Sequence, residues 1–220
     1  MLTYNLPLYF QIIKGLSATD SGIRNLPLIL GSASLTAVSG WALGRVGWYQ
    51  LFLALGGALI TLGAGLIYTL DIDSGLGPIL GYQLIVGFGV GASIQVPVTV
   101  AQAFSEPADI AVVTAMVLFF QLISGSIWVA ASQALLGNRL VAVLGEIAPH
   151  LDPLEVLAVG ATEIRHVFHG ADLDSVLKAY MVGLKDSWLM ATVVGAITFL
   201  LAFAGQWKSL KGSRIVAMAA

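Results

Sequence analysis

Amide and hydroxyl side chains recur along one face of a predicted helix in the middle of this 220-residue chain. Gln95 and Thr99 continue a four-residue spacing that starts at Gly87 and Gly91, and Gln102 comes three residues later. Residues three or four apart share a helix face, so these groups lie on one side. Glutamine and threonine bind uncharged solutes through hydrogen bonds, whereas glycine lets a neighbouring backbone approach closely. The pattern predicts Gln95, Thr99 and Gln102 as substrate-binding residues and Gly87 and Gly91 as helix-packing residues.

A second polar stripe occurs in the next apolar segment. Thr114, Gln121, Trp128 and Ser132 follow one another at spacings of seven, seven and four residues, which again places them on one helix face. Near the start of the chain, Tyr4 and Gln11 are seven residues apart and so also share a helix face. The substrate-binding residues predicted from these two segments are Gln121, Trp128, Tyr4 and Gln11.

Two interpretations of the stripes stay open. In the first, they line a cavity that hydrogen-bonds uncharged or amphipathic solutes beside an aromatic surface. In the second, the amides hold neighbouring helices together at about 0.6 kcal/mol per pair. Both interpretations place the polar faces against protein or water, because lipid cannot satisfy an amide.

The chain carries no predicted catalytic or cofactor site. Its long apolar segments contain no Asp, Glu, Lys, Arg or His, so they offer no nucleophile–base pair and, apart from tyrosine, no ionisable proton carrier. The glycines of 87–91 lie within an apolar segment rather than after a strand, which excludes a dinucleotide-binding loop. His150, Glu163, His166 and His169 occur in a wet loop, where solvated side chains are far commoner than a metal site. We predict no enzyme, no cofactor, no metal and, without a basic patch, no nucleic-acid partner.

Membrane-spanning helices are the elements that position the polar stripes. Hydrophobic residues make up 58% of the chain and charged residues 10%, against roughly a quarter charged in a soluble domain. A bilayer core of ~30 Å needs about 20 apolar residues in a helix. The sequence therefore predicts an all-α, polytopic helical membrane protein. Five stretches of suitable length contain no Asp, Glu, Lys or Arg: Asn25–Gly44, Val46–Leu70, Ser74–Ser105, Ile110–Asn138 and Ser187–Trp207.

Turn residues and charges set the predicted borders of these helices. Residues 1–13 are apolar but too short to span, so we expect the truncated second half of a membrane helix whose first half is missing. Ser17-Ala-Thr-Asp20 and Asp152-Pro153 fit helix starts. The predicted order after the partial helix is four spans within 21–136, an outer loop with short amphipathic helices at 137–186, a last span at 187–207 and a tail at 208–220.

Residues at the ends of the spans indicate the orientation. Lys208, Lys211 and Arg214 directly follow the last span, and basic residues in that position favour the cytosol. The tail is therefore predicted to be cytosolic and the loop at 137–186 to lie outside. Aromatic belts at the two membrane surfaces are expected to contain the tryptophans at span ends, which are Trp41, Trp48, Trp188 and Trp207.

Short motifs in a fixed order resemble those of one transporter family. They are Tyr4–Ser17 (YNLPLYFQIIKGLS), Ser21–Pro27 (SGIRNLP), Gly81–Gly91 (GYQLIVGFGVG), Gln95-Val-Pro97 with Gln102, Phe119-Phe-Gln121, Ser124-Gly125, Gly160–Arg165 (GATEIR), Lys178-Ala-Tyr180 and Trp207-Lys208. Over nearly its whole length, the chain resembles the C-terminal part of fungal major facilitator multidrug exporters, the fourteen-span drug:proton antiporters.

This resemblance implies a fold and an activity. The fold would be the C-terminal bundle of a major facilitator, with five full spans and one partial span in membrane lipid. The activity would be alternating access, in which two bundles rock around a cavity and a small lipophilic drug, toxin or metabolite leaves as protons enter. The proton-linked groups would belong to the missing N-terminal part, and a complementary transporter half would be a partner. We expect an integral, multi-pass protein of the plasma membrane, with the vacuolar membrane as the alternative.

One inner-loop motif departs from the family pattern. Gly40–Gly47 (GWALGRVG) resembles the family's inner loop and implies a gating role for Arg45. Gly44 stands where that pattern often has Asp, so Arg45 lacks the expected neighbouring carboxylate. A different class of function is also compatible with the sequence. It is a non-transporting membrane scaffold or regulatory half-transporter, which would associate with other membrane proteins through Gly87, Gly91 and the partial helix.

Overall fold

The structure is a computed structural model that describes residues 1–204 and 209–210. Its described part is built from helices and contains no β-strand element. The predicted all-α fold is therefore confirmed. The helices are α1 (Leu2–Leu8, continued by a π-helix at Tyr9–Ile13), α2 (Ala18–Arg24), α3 (Leu26–Val46), α4 (Tyr49–Tyr68), α5 (Leu76–Ser93), α6 (Val96–Ala103), α7 (Ile110–Ile147), α8 (Pro153–Ala158), α9 (Ile164–Val167) and α10 (Gly170–Ala204).

Five helical segments of the described chain are long and apolar enough to cross a membrane. This agrees with the five charge-free stretches and confirms a polytopic bundle. The shorter α1, with its π-helical continuation, adds a sixth helix to the bundle. The five candidate spans are Ala18–Val46, Tyr49–Tyr68, Leu76–Ala103, Ile110–Ile147 and Gly170–Ala204.

Proline interrupts two of these spans. Asn25 separates α2 from α3 two residues before Pro27, and 94–95 separates α5 from α6 before Pro97. Proline lacks an amide N–H and its ring clashes with the carbonyl four residues earlier, so a helix kinks or breaks there. Gln95 therefore lies at an interruption, rather than on the continuous helix that the spacing from Gly87 to Gln102 predicted.

The two longest helices extend beyond the borders predicted from charge. α7 continues through 137–147 and α10 begins at Gly170, so much of the predicted outer loop is helical. A helix that has left the hydrocarbon tolerates charges on its wet face, so α7 and α10 can continue beyond the charge-free stretches. Arg139 of α7 and Asp186 of α10 form an ion pair in this extension. The short helices α8 and α9 occupy the remaining connection.

Trp188, one of the tryptophans predicted at a membrane surface, is enclosed by the helices of the bundle. It lies well inside α10 and is fully buried, with its ring edge-on to Tyr9 at a centroid distance of 5.6 Å. Its ring therefore packs against protein and is not exposed on the surface of the bundle. Trp207 and the predicted cytosolic tail at 208–220 lie outside the described residues, apart from 209–210.

Both predicted helix starts are present. The Ser17 hydroxyl accepts a hydrogen bond from the Asp20 amide at 3.1 Å at the start of α2. Asp152 accepts from the Leu154 amide at 2.9 Å at the start of α8, where Pro153 takes the first helical position. These side chains satisfy amide groups that the first turn of a helix leaves unpaired.

Helices pack in the order α3, α5, α4, α10 and α7, and glycines allow the closest contacts. Gly87 of α5 faces the backbone of Leu28 and Ser32, and Gly91 faces the backbone of Ser32 and Thr36. A methyl group would overlap the Leu28 carbonyl oxygen at Gly87 and the Ser32 carbonyl oxygen at Gly91. In a bilayer, such van der Waals contact between backbones is a main source of helix association.

The same device appears on both sides of α4. A methyl group on Gly56 would lie 2.8 Å from the carbonyl oxygen of Gly89 in α5. A methyl group on Gly57 would lie 2.7 Å from the Cα of Phe199 in α10. These contacts hold α4 between α5 and α10, so the centre of the bundle is a stack of closely spaced backbones.

Basic side chains secure one end of the bundle through backbone carbonyl groups. The Lys14 ammonium donates to the carbonyl oxygens of Ile72 at 2.6 Å and Ser74 at 2.7 Å. Partial burial lowers the pKa of Lys14. Arg165 donates to the carbonyl oxygens of residues 12 and 13, at 3.3 and 2.5 Å. The end of the π-helix is thereby tied to the turn between α4 and α5 and to α9.

Candidate functional site

A cavity of about 390 Å³ lies among α3, α4, α5, α7 and α10, beside the start of α1. Apolar side chains from several helices form its wall, including Leu28, Ile60, Val86 and Val194. Trp128 of α7 adds an aromatic surface and is 40% exposed. An apolar cavity with a few polar groups is the usual form of a small-molecule site. The geometry therefore points to this space as the candidate binding site.

Two of the three hydroxyl side chains in the cavity wall already donate a hydrogen bond. Ser32 Oγ donates to the Ile29 carbonyl at 2.8 Å, and Thr198 Oγ1 donates to the Val194 carbonyl at 2.9 Å. These two groups keep only acceptor lone pairs for a ligand. No ionisable side chain of the described residues lines the cavity. The side chains of the wall are apolar or uncharged, so they suit neutral, largely apolar molecules.

The cavity contains fewer of the predicted binding residues than the polar stripes suggested. Trp128 lines it, whereas Gln121 lines a second, wider cavity of about 590 Å³ together with Gly125 and Ser126. Gln95 is exposed at the interruption between α5 and α6. The remaining predicted residues line neither of these two cavities: Thr99, Gln102, Tyr4 and Gln11.

Two of the glutamines connect helices. Gln102 Nε2 donates to Thr114 Oγ1 at 3.0 Å, which joins α6 to α7. Gln121 Nε2 donates to the Ile94 carbonyl at 3.1 Å. Ile94 lies at the interruption before Pro97, where backbone carbonyls lose their helical donors. Gln121 supplies a donor there, so both amides hold α7 against the α5–α6 segment.

Gln121→Leu is expected to weaken this contact by about 0.6 kcal/mol, which is roughly a threefold change in a local opening equilibrium. Amide hydrogen exchange over 96–103 should become faster, because the Ile94 carbonyl loses its donor. Gln95→Leu is the matched control, since Gln95 is exposed and its side chain makes no hydrogen bond within the described residues. Equal exchange rates in the two variants would contradict the role of Gln121.

Curated proteins from fungi match nearly all of the chain, although no family model matches it. The efflux pump notK of Aspergillus sp. (strain MF297-2) is 41% identical over 207 residues, which are 94% of this chain and 37% of that protein. The dehydrocurvularin exporter of Aspergillus terreus is 41% identical over 94% of this chain and 36% of its own length. The MFS-type efflux pump MFS1 of Trichophyton rubrum (strain ATCC MYA-4607 / CBS 118892) is 37% identical over 100% of this chain and 41% of its own length. The chain belongs to the major facilitator superfamily.

This major facilitator chain spans about two fifths of the length of the curated relatives it matches. The match extends over nearly all of the helical bundle, so the resemblance found in the sequence motifs is confirmed. The apolar cavity and the glutamine contacts therefore belong to one part of a facilitator fold.

Arg45, for which the sequence implied a gating role, lies in the last turn of α3 in this facilitator chain. Its guanidinium stacks over the Trp41 ring at 4.4 Å from the centroid, and both side chains are exposed. Within the described residues, Arg45 forms no ion pair with a carboxylate. A cation–π contact at an exposed site contributes about 0.5–1 kcal/mol. Trp41 is thus the residue that contacts the Arg45 guanidinium in this structure.

The sequence patterns missed a buried polar cluster where α1 meets α7 and α10. Asn5 Nδ2 donates to Ser132 Oγ at 2.7 Å, and Asn5 Oδ1 accepts from Gln133 Nε2 at 3.0 Å. Ser187 Oγ of α10 approaches the Ser132 carbonyl at 3.2 Å. Asn5, Ser132 and Ser187 are fully buried. An amide within an apolar stretch is the signal that identifies Asn5, because lipid offers it no partner.

Proposed function

We propose that this chain is one helix bundle of an efflux transporter, which exports small lipophilic molecules by alternating access in exchange for protons. The apolar cavity beside Trp128 carries the proposal, because its wall suits neutral molecules with aromatic or aliphatic surface. The names of the relatives, two efflux pumps and an exporter, support the direction of transport. Trp128 and Gln121 are the residues that we expect to contact the solute.

Proton coupling is assigned to another part of the transporter. The charge-free stretches in α3, α4, α5, α7 and α10 contain no Asp, Glu, Lys, Arg or His. A proton carrier within the membrane is normally one of these ionisable residues. The solute contacts would therefore lie in this bundle, and the proton-linked groups in the half that complements it.

The exposed face of α7 supports such a complementary half. Phe120, Leu122 and Ile127 are 63%, 74% and 60% exposed, and all are apolar. A helix that is apolar all round belongs in lipid or within a larger assembly. The same surface favours the second candidate function, a non-transporting scaffold or regulatory half-transporter that binds other membrane proteins.

Replacing Trp128 with alanine tests the binding site. We expect dehydrocurvularin, used as a neutral lipophilic probe, to bind the 220-residue chain in lipid nanodiscs. Trp128→Ala should weaken this binding about tenfold, because an aromatic face is removed from the wall. Trp41→Ala is the control, since Trp41 contacts Arg45 and does not line the cavity. Equilibrium dialysis measures all three affinities. Unchanged affinity in Trp128→Ala would rule out this cavity as the site.

A chimera tests transport. The chain would replace the matching part of the Aspergillus terreus exporter, and export of dehydrocurvularin would be measured in yeast cells. Export that falls when Trp128→Ala is introduced would support the transporter proposal. A chimera that reaches the membrane and exports nothing would favour the scaffold alternative.

A further inference from the structure

We propose that the interface between α3 and α5 contains a binding site for one ordered water molecule, which bridges Asn25 and Gln83. Gln83 is fully buried, and neither its Oε1 nor its Nε2 has a hydrogen-bond partner among the described residues. Asn25 is 5% exposed, and its Oδ1 is likewise unpaired within the described chain. A buried amide without a partner destabilises the folded state, so native proteins normally satisfy such groups, often with water.

The register of the two helices places these amides at the same level. Gly87 faces Leu28 and Ser32, and one turn later Gly91 faces Ser32 and Thr36. The two helices α3 and α5 are therefore parallel, and each turn of α5 lies beside the corresponding turn of α3. Gln83 lies one turn before Gly87, on the same face of α5. Asn25 directly precedes α3 and lies about one turn before Leu28, whose carbonyl faces Gly87. Gln83 and Asn25 are therefore at the same level along the paired helices α3 and α5.

The surrounding structure leaves Asn25 free for this role. Asn25 is the first residue before α3, a position where asparagine usually caps a helix through its side-chain oxygen. Its backbone instead has helical angles (φ −90°, ψ −7°), and its side chain makes no capping bond. The close backbone contact at Gly87, one turn away, fixes the spacing of α3 and α5 and keeps Gln83 out of contact with lipid.

The chemistry of the unpaired atoms selects the ligand. Asn25 Oδ1 and Gln83 Oε1 are both acceptors, so a molecule between them must donate two hydrogen bonds. Gln83 Nε2 is a donor, so the same site must also offer an acceptor. Water meets both requirements, whereas a metal cation would bind the oxygens but repel the Nε2 hydrogens.

Hydroxyl-radical labelling tests the site in the intact chain. X-ray radiolysis on a millisecond timescale oxidises buried side chains that touch a bound water. Ile79 lies one turn before Gln83 and is fully buried, so we expect it to be labelled despite its burial. Leu140, equally buried but between α7 and α10, is the control and should stay unlabelled. Ile79 labelling should disappear in Gln83→Leu. An unlabelled Ile79 in the unsubstituted chain would overturn the proposal.

A double-mutant cycle provides the second test. Gln83→Leu and Asn25→Leu should each lower the folded-to-unfolded ratio in detergent by about tenfold. The double variant should lose no more than either single variant, because one substitution already removes the bridge. A gain of stability in Gln83→Leu, or fully additive losses, would contradict a shared water. Non-additive losses together with an unlabelled Ile79 would indicate a direct bond between the two amides and overturn the water site.

Discussion

Gly91→Ala is expected to destabilise the bundle by about 1–3 kcal/mol, the usual range for overpacking a tight contact. The added methyl group would overlap the Ser32 carbonyl oxygen and lie 2.9 Å from the Thr36 amide nitrogen. Both are backbone atoms, which cannot move aside as a flexible side chain can. α3 must therefore shift away from α5, and the packing around Gly87 is lost with it. Thermal unfolding in detergent, followed by tryptophan fluorescence to which the buried Trp188 contributes, measures the effect.

Gly81→Ala is the matched control for this prediction. Gly81 lies in the same helix, and a methyl group there would meet nothing within 4 Å. Because alanine favours a helix over glycine by up to about 1 kcal/mol, Gly81→Ala should be neutral or mildly stabilising. Equal stability of the Gly91→Ala and Gly81→Ala chains would mean that the close contact of α3 and α5 does not support the fold.

Asn5→Leu is expected to destabilise the bundle by about 1–3 kcal/mol, because it leaves buried polar groups without partners. Within the part of the chain that the structure describes, Asn5 is the side-chain partner of both the Ser132 hydroxyl and the Gln133 amide. Its loss also detaches α1 from α7, so α1 should become sensitive to proteolysis. The midpoint of thermal unfolding and the rate of cleavage near residue 14 report the two effects.

A compensating substitution separates hydrogen bonding from packing. Asn5→Leu combined with Ser132→Ala should lose less stability than the sum of the two single changes, since removing both partners leaves fewer unpaired groups. Ser126→Ala is the control within α7. Its exposed hydroxyl bonds only to the Leu122 carbonyl of its own helix, and its loss should have little effect. Strict additivity of the two substitutions would show that Asn5 acts through shape alone.

The membrane helices could be predicted because hydrocarbon excludes charge so strongly. Each charge-free stretch contains most of one candidate span among the described residues, and Ser17 and Asp152 marked helix starts through their capping oxygens. The ends of α7 and α10 could not be predicted in the same way. Arg139 and Asp186 satisfy each other by an ion pair, so the helices carry charge without ending there.

The roles of individual polar residues depended on what lies opposite each of them. A spacing of four placed Gln102 on a helix face, but the spacing did not reveal that Thr114 would meet it. Pro97 interrupts the helix and creates the free carbonyl that Gln121 binds, a contact between residues far apart in sequence. Asn5 has no periodic pattern around it. Its place as an amide in an apolar stretch is the one sequence signal, and its partners Ser132 and Gln133 are known only from the folded bundle.

The carbonyl contacts of Lys14 and Arg165 have a consequence for evolution. A salt bridge can be lost through a substitution at either partner, whereas every residue type retains its backbone carbonyl. Changes at residues 12, 13, 72 or 74 therefore leave the acceptors of these bonds in place. Only a substitution of Lys14 or Arg165 itself removes these hydrogen bonds. Homologous sequences should accordingly show drift at 72 and 74, exchange among apolar residues at the buried positions 12 and 13, and retention of Lys14 and Arg165, with no correlated substitution between the two groups.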